Sequence, residues 1–344
     1  MPLLETRDLV KHFPVRRGVL ARARREPQHL VHAVDGVSVE VEVGETLAVV
    51  GESGSGKTTL GRLVLGLIEP TAGQILFEGQ DVTRPSSEQS VRLRRQIQVV
   101  FQDPYSSLDP RQRVRDIIRE PLDIHGVGTP AERRRRVGEL LDQVHLPARF
   151  ADRFPHELSG GQRQRVSIAT ALALGPKLIV ADEPVSALDV SVQAQILDLL
   201  AELQRDTGIA YILISHDLGV VEQVSDRVAV MYLGKILETG SVEQVFDDPQ
   251  QPYTRALLSA IPIADPTVEH EPIRLSGDVP TLVDPPSGCP FHPRCWLAVD
   301  ACRSIVPPLL EYDAEHFAAC HVTAAEHNMG VLAGNGAKER ISHG

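Results

Sequence analysis

The chain contains 344 residues, of which 42% are hydrophobic and 24% are charged, and its formal net charge is −11. This length predicts one large domain with an appendage, and the acidic balance argues against a general nucleic-acid binder. The sequence has no run of about 18 apolar residues and no long apolar core near its N-terminus. We therefore expect a cytosolic protein with neither a membrane span nor a signal peptide.

Strand patterns dominate the first hundred residues. An arginine-rich stretch at 16–28 interrupts them, and we expect it to form a solvated loop. A short polar helix is predicted at 88–95. The remaining predicted elements of this part are strands, which cover residues 3–11, 31–43, 46–50, 74–77 and 97–101.

The stretch from Gly51 to Thr58 reads G-x-x-x-x-G-K-T, the phosphate-binding P-loop. A strand pattern precedes it and helical spacing follows it, as the motif requires. Glycines let backbone N–H groups surround phosphate oxygens, and the helix N-terminus favours negative charge. We predict that Lys57 contacts the β- and γ-phosphates and that the Thr58 hydroxyl binds Mg²⁺. The predicted phosphate-binding residues are Gly51, Ser53, Gly54, Ser55, Gly56, Lys57, Thr58 and Thr59.

Helices and strands alternate through the second part of the chain. Prolines, serines and aspartates make residues 102–110 too irregular for either. Later helices are predicted at 112–146, with a break at 126–130, and at 160–174 and 190–205, and later strands at 178–183 and 210–215. Prolines recur after residue 245, so we place a domain boundary near 245–265.

Acidic side chains end one of these predicted strands. Asp182 and Glu183 follow an apolar run, and His216 ends a neighbouring strand. Ligands of parallel α/β sheets bind at the carboxyl ends of the strands, so these side chains should face the P-loop. We predict that Asp182 holds the Mg²⁺ shell, that Glu183 orients and deprotonates the attacking water, and that His216 contacts the γ-phosphate.

A second stretch suited to phosphate runs from Leu158 to Gln162. Ser159 is a good N-cap, and Gly160 and Gly161 expose N–H groups at the start of a helix. Two phosphate-facing helix starts in one chain predict either two nucleotides or one nucleotide shared between copies.

Together these motifs resemble the ATP-binding cassette (ABC) subunits, whose signature motif matches residues 158–162. The resemblance covers about residues 3–262. It implies an α/β P-loop NTPase fold with a RecA-like core, an antiparallel β subdomain and a helical subdomain at about 103–175. It also implies Mg²⁺-dependent ATP hydrolysis by two cassettes that sandwich two ATP molecules, with each P-loop facing the signature motif of the partner.

The same resemblance assigns further residues. Gln102 falls in the Q-loop, which senses Mg²⁺ and the γ-phosphate, and Asp189 ends the D-loop that begins at Ser186. His216 matches the switch histidine, and Phe13 lies where the family stacks an aromatic ring on adenine. The nucleotide-binding set implied by the resemblance is completed by Ser159, Gly160, Gly161 and Gln162, while Lys57, Gln102, Glu183 and His216 form the catalytic set.

A narrower resemblance links residues 101–110, 252–258 and 285–295 to the oligopeptide/dipeptide and nickel importer branch and its C-terminal extension. It implies the ATPase subunit of a bacterial peptide importer, attached to the cytoplasmic face of the membrane. The implied partners are two permease subunits, a second ATPase subunit that is more often a different chain than a copy, and indirectly a solute-binding protein. Three alternatives remain: import of nickel or another small solute, a soluble ABC ATPase acting on DNA or ribosomes, and an iron–sulfur redox protein.

The C-terminal part contains every cysteine of the chain. We divide the sequence into a cassette at 1–260, a small irregular cysteine-containing extension at 261–325 and a flexible tail at 326–344. Cys289, Cys295, Cys302 and Cys320 are separated by five, six and seventeen residues. Clustered cysteines in a cytosolic protein favour metal ligation over disulfides, but this spacing does not identify the metal. The resemblance implies a four-cysteine [4Fe–4S] cluster. The alternatives are zinc, with His292 and His321 as substitute ligands, and free packed thiols.

Overall fold

The computed structural model describes residues 1–15, 28–103, 105, 108–261 and 271–329. The arginine-rich stretch predicted to be a solvated loop lies outside these residues except for Gln28, and the predicted flexible tail lies outside them from residue 330 onward.

The strands are β1 Leu4–Pro14, β2 Leu30–Val41, β3 Thr46–Val50, β4 Ala72–Phe77, β5 Gln80–Asp81, β6 Ile97–Val100, β7 Leu178–Asp182, β8 Ala210–Ser215, β9 Arg227–Tyr232, β10 Lys235–Ser241, β11 Leu310–Asp313 and β12 His316–Ala318. The α-helices are α1 Lys57–Val64, α2 Ser87–Gln96, α3 Val114–Ile124, α4 Pro130–Gln143, α5 Gly160–Leu172, α6 Val190–Thr207, α7 Leu218–Val224, α8 Val242–Asp247, α9 Pro252–Leu258, α10 Ala301–Ser304 and α11 His321–Glu326. Short 3₁₀ turns occur at Ala148–Asp152, Pro155–Glu157 and His292–Arg294.

Two sheets organise the chain. The larger has the order β11-β12-β10-β9-β3-β8-β7-β6, and the pairs β9-β3, β3-β8, β8-β7 and β7-β6 are parallel. Every residue of β3 and β8 is buried, because helices cover both faces of a parallel sheet. This burial explains why these strands are continuous apolar runs in the sequence. The smaller sheet is antiparallel, with the order β2-β1-β4-β5.

A helical layer packs beside the parallel sheet. Helices α3, α4 and α5 bury one joint apolar core, to which Ile118, Leu140 and Ile168 contribute fully buried side chains. The predicted break between α3 and α4 is confirmed: Gly126 and Gly128 have φ values of 63° and 71°, a left-handed conformation that glycine adopts without strain. A capping box then starts α4, in which the Thr129 hydroxyl accepts from the Glu132 N–H.

The C-terminal extension continues the larger sheet. Strand β12 pairs antiparallel with β10 and β11 pairs with β12. The extension therefore carries more regular structure than its proline-rich sequence suggests. Its joint with the cassette buries an ion pair between His316 Nε2 and Glu238 Oε1 at 2.8 Å. The division of the chain at residue 260 stays a prediction, and hydrogen bonds of one sheet cross it.

The hydropathy of the helices bears on membrane association. Within the described ranges, none of the helices combines the length and the apolar character that a bilayer-spanning segment requires.

Candidate functional site

The sequence-predicted catalytic residues meet at one edge of the larger sheet. Strands β3, β8 and β7 are neighbours, so their carboxyl ends bring together the P-loop, His216 and the acidic pair at 182–183. A cavity of about 510 Å³ opens between them. Its lining residues are Ser53, Gly54, Gly56, Lys57, Thr58, Thr59, Gln102, Glu183 and His216.

The glycines of the P-loop are required by close backbone contacts. A Cβ atom on Gly51 would lie 2.1 Å from the Met231 carbonyl oxygen, and one on Gly56 would lie 2.1 Å from the Ala33 carbonyl oxygen. Both residues also have positive φ values, 146° and 111°, which side chains rarely allow. The loop thus turns tightly against β9 and β2 and leads directly into α1.

The Lys57 side chain is buried against the loop that it follows. Its Nζ donates to the carbonyl oxygens of Gly51 at 2.7 Å and Glu52 at 2.9 Å. Burial lowers the pKa of the ammonium group, and nearby carboxylates, chiefly Glu183, oppose that shift. The ammonium group lies at the cavity lining, where it can bind phosphate oxygens.

Asp182 is not among the residues that line the cavity, but it contacts Thr58, which is. The Thr58 hydroxyl donates to Asp182 Oδ1 over 3.3 Å. Burial raises the pKa of Asp182, the Thr58 bond lowers it, and the neighbouring Glu183 charge raises it. A hydroxyl and a carboxylate together are ligands that suit Mg²⁺, and a cation here would relieve the crowding of acidic charge.

Glu183 is held between two other strand ends. Gln102 Nε2 donates to its Oε2 at 2.7 Å, and His216 Nδ1 lies 3.1 Å from its Oε1. The Glu183 backbone has a φ of 48°, which is uncommon for a side-chain-bearing residue, and its N–H donates to the Ile214 carbonyl. Three predicted catalytic residues thus form one hydrogen-bonded group at the cavity.

The signature and D-loop residues lie outside this cavity. Ser159 is exposed and caps α5, accepting from the Gln162 N–H in a capping box. A Cβ on Gly161 would lie 2.4 Å from Val192 Cγ1, so the signature motif packs on α6. Asp189 caps α6 by accepting from the Val192 N–H at 3.0 Å. Hydrogen bonds from Ser191 and that N–H lower the pKa of Asp189.

Phe13 is also separate from the cavity lining. It is 37% exposed on β1, where it pairs with Val31 of β2. The Lys11 ammonium lies 5.0 Å above its ring. Its predicted stacking on adenine stays a prediction.

The C-terminal extension contacts the P-loop through Arg294. Arg294 lies between Cys289 and Cys295 in sequence, and its guanidinium donates to both carboxylate oxygens of Glu52 at 2.7 and 3.0 Å. The Tyr253 hydroxyl accepts from the Glu52 N–H at 2.8 Å. Sequence reasoning missed this contact, because Glu52 and Arg294 are 242 residues apart and no local pattern joins them.

The cysteine side chains gather in one part of the extension. Cys289, Cys302 and Cys320 are buried and Cys295 is half-buried, and the Cys289 N–H donates to the Cys302 carbonyl at 2.8 Å. Burial chiefly, and neighbouring thiols to a lesser extent, raise the pKa of Cys289 to about 12 and that of Cys295 to about 11. The thiols therefore lie near enough to influence one another electrostatically.

Their spacing bears on the kind of metal. A single tetrahedral zinc with Zn–S bonds near 2.3 Å needs sulfur atoms about 3.8 Å apart. In the described part of the chain, only a group on β1 and β2 places three potential ligand atoms within 4.8 Å of one another, so no three cysteine sulfurs are that close. His292 and His321 instead form hydrogen bonds of 2.9 Å with the carbonyl oxygens of Cys289 and Ile305.

Comparisons with known proteins agree with this geometry. Residues 34–186 match the ABC transporter family model, and residues 237–302 match the model of the oligopeptide/dipeptide transporter C-terminal region. The oligopeptide transport ATP-binding protein AppF of Bacillus subtilis is 50% identical over 93% of this chain and 97% of its own length. The dipeptide transport ATP-binding protein DppF of Haemophilus influenzae is 49% identical over 93% of this chain and 96% of its own length.

Solved structures show the same fold. CbiO1 from Clostridium perfringens, part of an ABC transporter complex, superposes with a TM-score of 0.61 at 30% identity, over 72% of this chain and 91% of its own. A dimeric cassette, MJ0796, bound to ADP and phosphate superposes with a TM-score of 0.60 at 29% identity, over 70% of this chain and 98% of its own. The chain therefore belongs to the ABC transporter family, as an ATP-binding protein of the oligopeptide/dipeptide transporter branch.

Proposed function

We propose that this chain binds and hydrolyses ATP to power the import of di- or oligopeptides through separate permease subunits. The observation that carries the proposal is the Glu183 carboxylate, held between Gln102 and His216 at the mouth of the P-loop cavity. The printed names of the relatives favour peptides over nickel as the imported solute.

In this proposal each residue of the cavity has a separate role. Lys57 leaves its carbonyl partners to bind the β- and γ-phosphates. Thr58, Asp182 and Gln102 would hold Mg²⁺, and the bound ion would neutralise developing charge on the phosphoryl oxygens. Glu183 accepts a proton from the attacking water, and His216 hydrogen-bonds the γ-phosphate.

The test is Glu183→Gln, which keeps the shape of the side chain and removes the base. We expect ATP binding to persist while turnover falls about 1,000-fold, because general-base catalysis contributes that order of magnitude. The matched control is Glu222→Gln, an exposed position on α7. Hydrolysis by the Glu183 variant at the parental rate would refute the assignment.

Two cassettes are needed for the complete site. Ser159, Gly160 and Gln162 lie outside the cavity of their own chain, which supports a role toward the nucleotide of a partner cassette. Asp189, at the exposed start of α6, would join the same interface. We propose a related but different chain as the partner, and co-purification of both gene products in a one-to-one ratio is the measurement; a stable homodimer that hydrolyses ATP alone would contradict it.

We further propose that the chain sits peripherally at the cytoplasmic face of the membrane, docked on the permease through residues 102–110 and the helical layer. Phe101 and Tyr105 expose 46% and 65% of their surface there. Cysteines introduced at Ser106 or Ser107, which lie outside the described residues, should cross-link to a permease subunit. The same reagent applied to a cysteine at Ser90 of α2 is the control, and equal capture from both positions would contradict docking at 102–110.

For the extension we propose a [4Fe–4S] cluster held by Cys289, Cys295, Cys302 and Cys320. The support is that the four thiols lie close enough to act on one another electrostatically, with Cys289 and Cys302 in one buried cluster. Its role is structural, since folding around a metal compensates for a small apolar core. Anaerobically purified protein should be brown and absorb at about 400 nm, and Cys302→Ser should remove the colour. A colourless protein with stoichiometric zinc would overturn the cluster and leave the ATPase proposal intact.

A further inference from the structure

Glu52 of the P-loop has a hydrogen-bond partner for each of its polar groups. Its N–H donates to the Tyr253 hydroxyl at 2.8 Å, and its carbonyl oxygen accepts from Lys57 at 2.9 Å. Its carboxylate accepts from Arg294. Since Lys57 and Glu52 belong to the same loop, Tyr253 and Arg294 are the partners that join Glu52 to the C-terminal part of the chain.

Arg294 and Glu52 form an ion pair through two hydrogen bonds that are largely shielded from solvent. Nη1 and Nη2 each reach a different oxygen of Glu52, which is the fork geometry that makes arginine–carboxylate pairs directional. The Arg294 side chain is 8% exposed and that of Glu52 is 26% exposed. The Arg294 side chain therefore has little freedom to leave. Its removal would leave the Glu52 carboxylate without its charged partner beside the phosphate site.

The backbone that carries Arg294 is anchored too. Phe291 is fully buried, and its ring centroid lies 5.5 Å from that of Tyr232 and 5.3 Å from that of Tyr253. The Tyr232 hydroxyl lies 3.5 Å from Arg294 Nη1. The loop from Cys289 to Cys295 is thus packed on strand β9 and helix α9, with its arginine aimed at the P-loop.

We propose that Arg294 is a positioning residue for the P-loop, through which the cysteine loop at 289–295 controls the affinity for ATP. The inference rests on the proposed ATPase function and extends it to a part of the chain outside the cassette motifs. Two effects act together: the fork fixes the loop in its phosphate-binding shape, and the guanidinium cancels the Glu52 charge that would otherwise repel the triphosphate.

The first test measures equilibrium binding of a non-hydrolysable ATP analogue by the full-length chain. Arg294→Met should raise the dissociation constant about tenfold, within the ordinary range of coupling between sites, and Arg294→Lys should raise it less because one charge remains. Arg274→Met, an exposed position of the same extension, is the matched control and should bind as the parent does. Parental affinity in Arg294→Met would overturn the proposal.

A second measurement separates positioning from a loss of fold. In the ATPase assay of the assembled transporter, Arg294→Met should raise KM and leave kcat at saturating ATP within about twofold. Glu52→Gln breaks the fork but also removes the repelling charge, so it should weaken ATP binding less than Arg294→Met does. The double variant should be no weaker than Arg294→Met alone, because both changes break one contact. An equal fall in kcat and kcat/KM, or additive effects, would contradict the role.

Coupling is reciprocal, which gives a readout independent of activity. Binding of the analogue should slow amide hydrogen exchange over residues 285–296 in the parent chain and not in Arg294→Met. Exchange that ignores the analogue in the parent chain would refute the coupling.

The cluster proposal fails in a different way. If the parent chain is colourless and Arg294→Met still weakens ATP binding, only the cluster is refuted. If the parent chain is brown and Arg294→Met binds ATP with parental affinity, only the coupling is refuted.

Discussion

Two of the histidine–glutamate pairs in the described part of the chain have contrasting surroundings. His216 and Glu183 approach to 3.1 Å at the cavity, where their side chains are 58% and 19% exposed. His316 and Glu238 approach to 2.8 Å beneath the extension, where they are 3% and 0% exposed. The first pair can exchange its partner for water or phosphate at little cost. The second cannot, because a buried charge without its partner is strongly unfavourable.

The polar neighbours reinforce this contrast. Glu238 also accepts from the backbone N–H groups of Gln250 and Gln251 at 2.6 and 3.1 Å, so three partners hold its buried carboxylate. Apart from His216, Glu183 has Gln102 as a side-chain donor, on a segment that leads into the helical layer. Histidine and glutamate therefore form a contact that can exchange partners at the nucleotide edge of the sheet. Between the cassette and the extension they form a buried contact that stays in place.

The largest loss of activity is expected at the P-loop, whose tight backbone contacts hold the nucleotide edge in shape. Gly56→Ala would place a Cβ 2.1 Å from the Ala33 carbonyl oxygen at a φ of 111°, so the P-loop must shift. Misplacement on this scale should lower ATPase activity about 100-fold or more. Gly66→Ala, which has a φ of 64° and open space around it, is the control and should retain activity. Comparable losses in both variants would show that the tight approach is unimportant.

The two pairs can be compared directly by replacing each histidine with leucine. His316→Leu leaves a buried carboxylate and should lower the free energy of unfolding by about 3 kcal/mol. His216→Leu should change it by less than about 0.5 kcal/mol, as expected at an exposed pair, while ATP turnover falls about 100-fold. Denaturant unfolding and steady-state ATPase assays measure both. If the two variants lost equal stability, the contrast between the pairs would fail.

Unfolding of His316→Leu also examines the joint. If the extension and the cassette form one cooperative unit, the variant should unfold in a single transition at lower denaturant. A separate early transition confined to the extension would instead support the predicted boundary near residue 260.

The smallest effect concerns Asp182. Its pKa is raised, first by burial, so the ionised form is disfavoured in the folded chain. The carboxylate then costs folding free energy at pH values above its ordinary pKa of 3.8, and the cost vanishes below that value. Asp182→Asn should therefore stabilise the metal-free chain by about 1 kcal/mol at neutral pH. It should abolish the further stabilisation given by Mg²⁺ with ATP; unchanged stability at pH 7 would contradict this reasoning.

Local sequence carried the prediction of the nucleotide edge. The P-loop, the strand-ending acids at 182–183 and His216 each belong to a strand–turn unit, and parallel strands bring such ends together whatever the loops between them do. The pairing of Gln102 with Glu183 needed the fold, since 81 residues separate them. The extension was less predictable. Strand β12 is only His316–Ala318, and its partner β10 is fixed by tertiary contacts rather than by pattern.

The addition of β12 to β10 also matters for any shortened form of the protein. In the full chain β10 lies between β9 and β12, so its backbone is paired on both sides around Glu238 and Thr239. A chain cut after residue 260 would expose the outer N–H and C=O groups of this middle part of β10 as an open edge, and such edges recruit strands from other molecules. The cassette motifs would survive that cut. The shortened chain would nevertheless be prone to edge-to-edge aggregation, with the extension acting as the cover that ends the sheet.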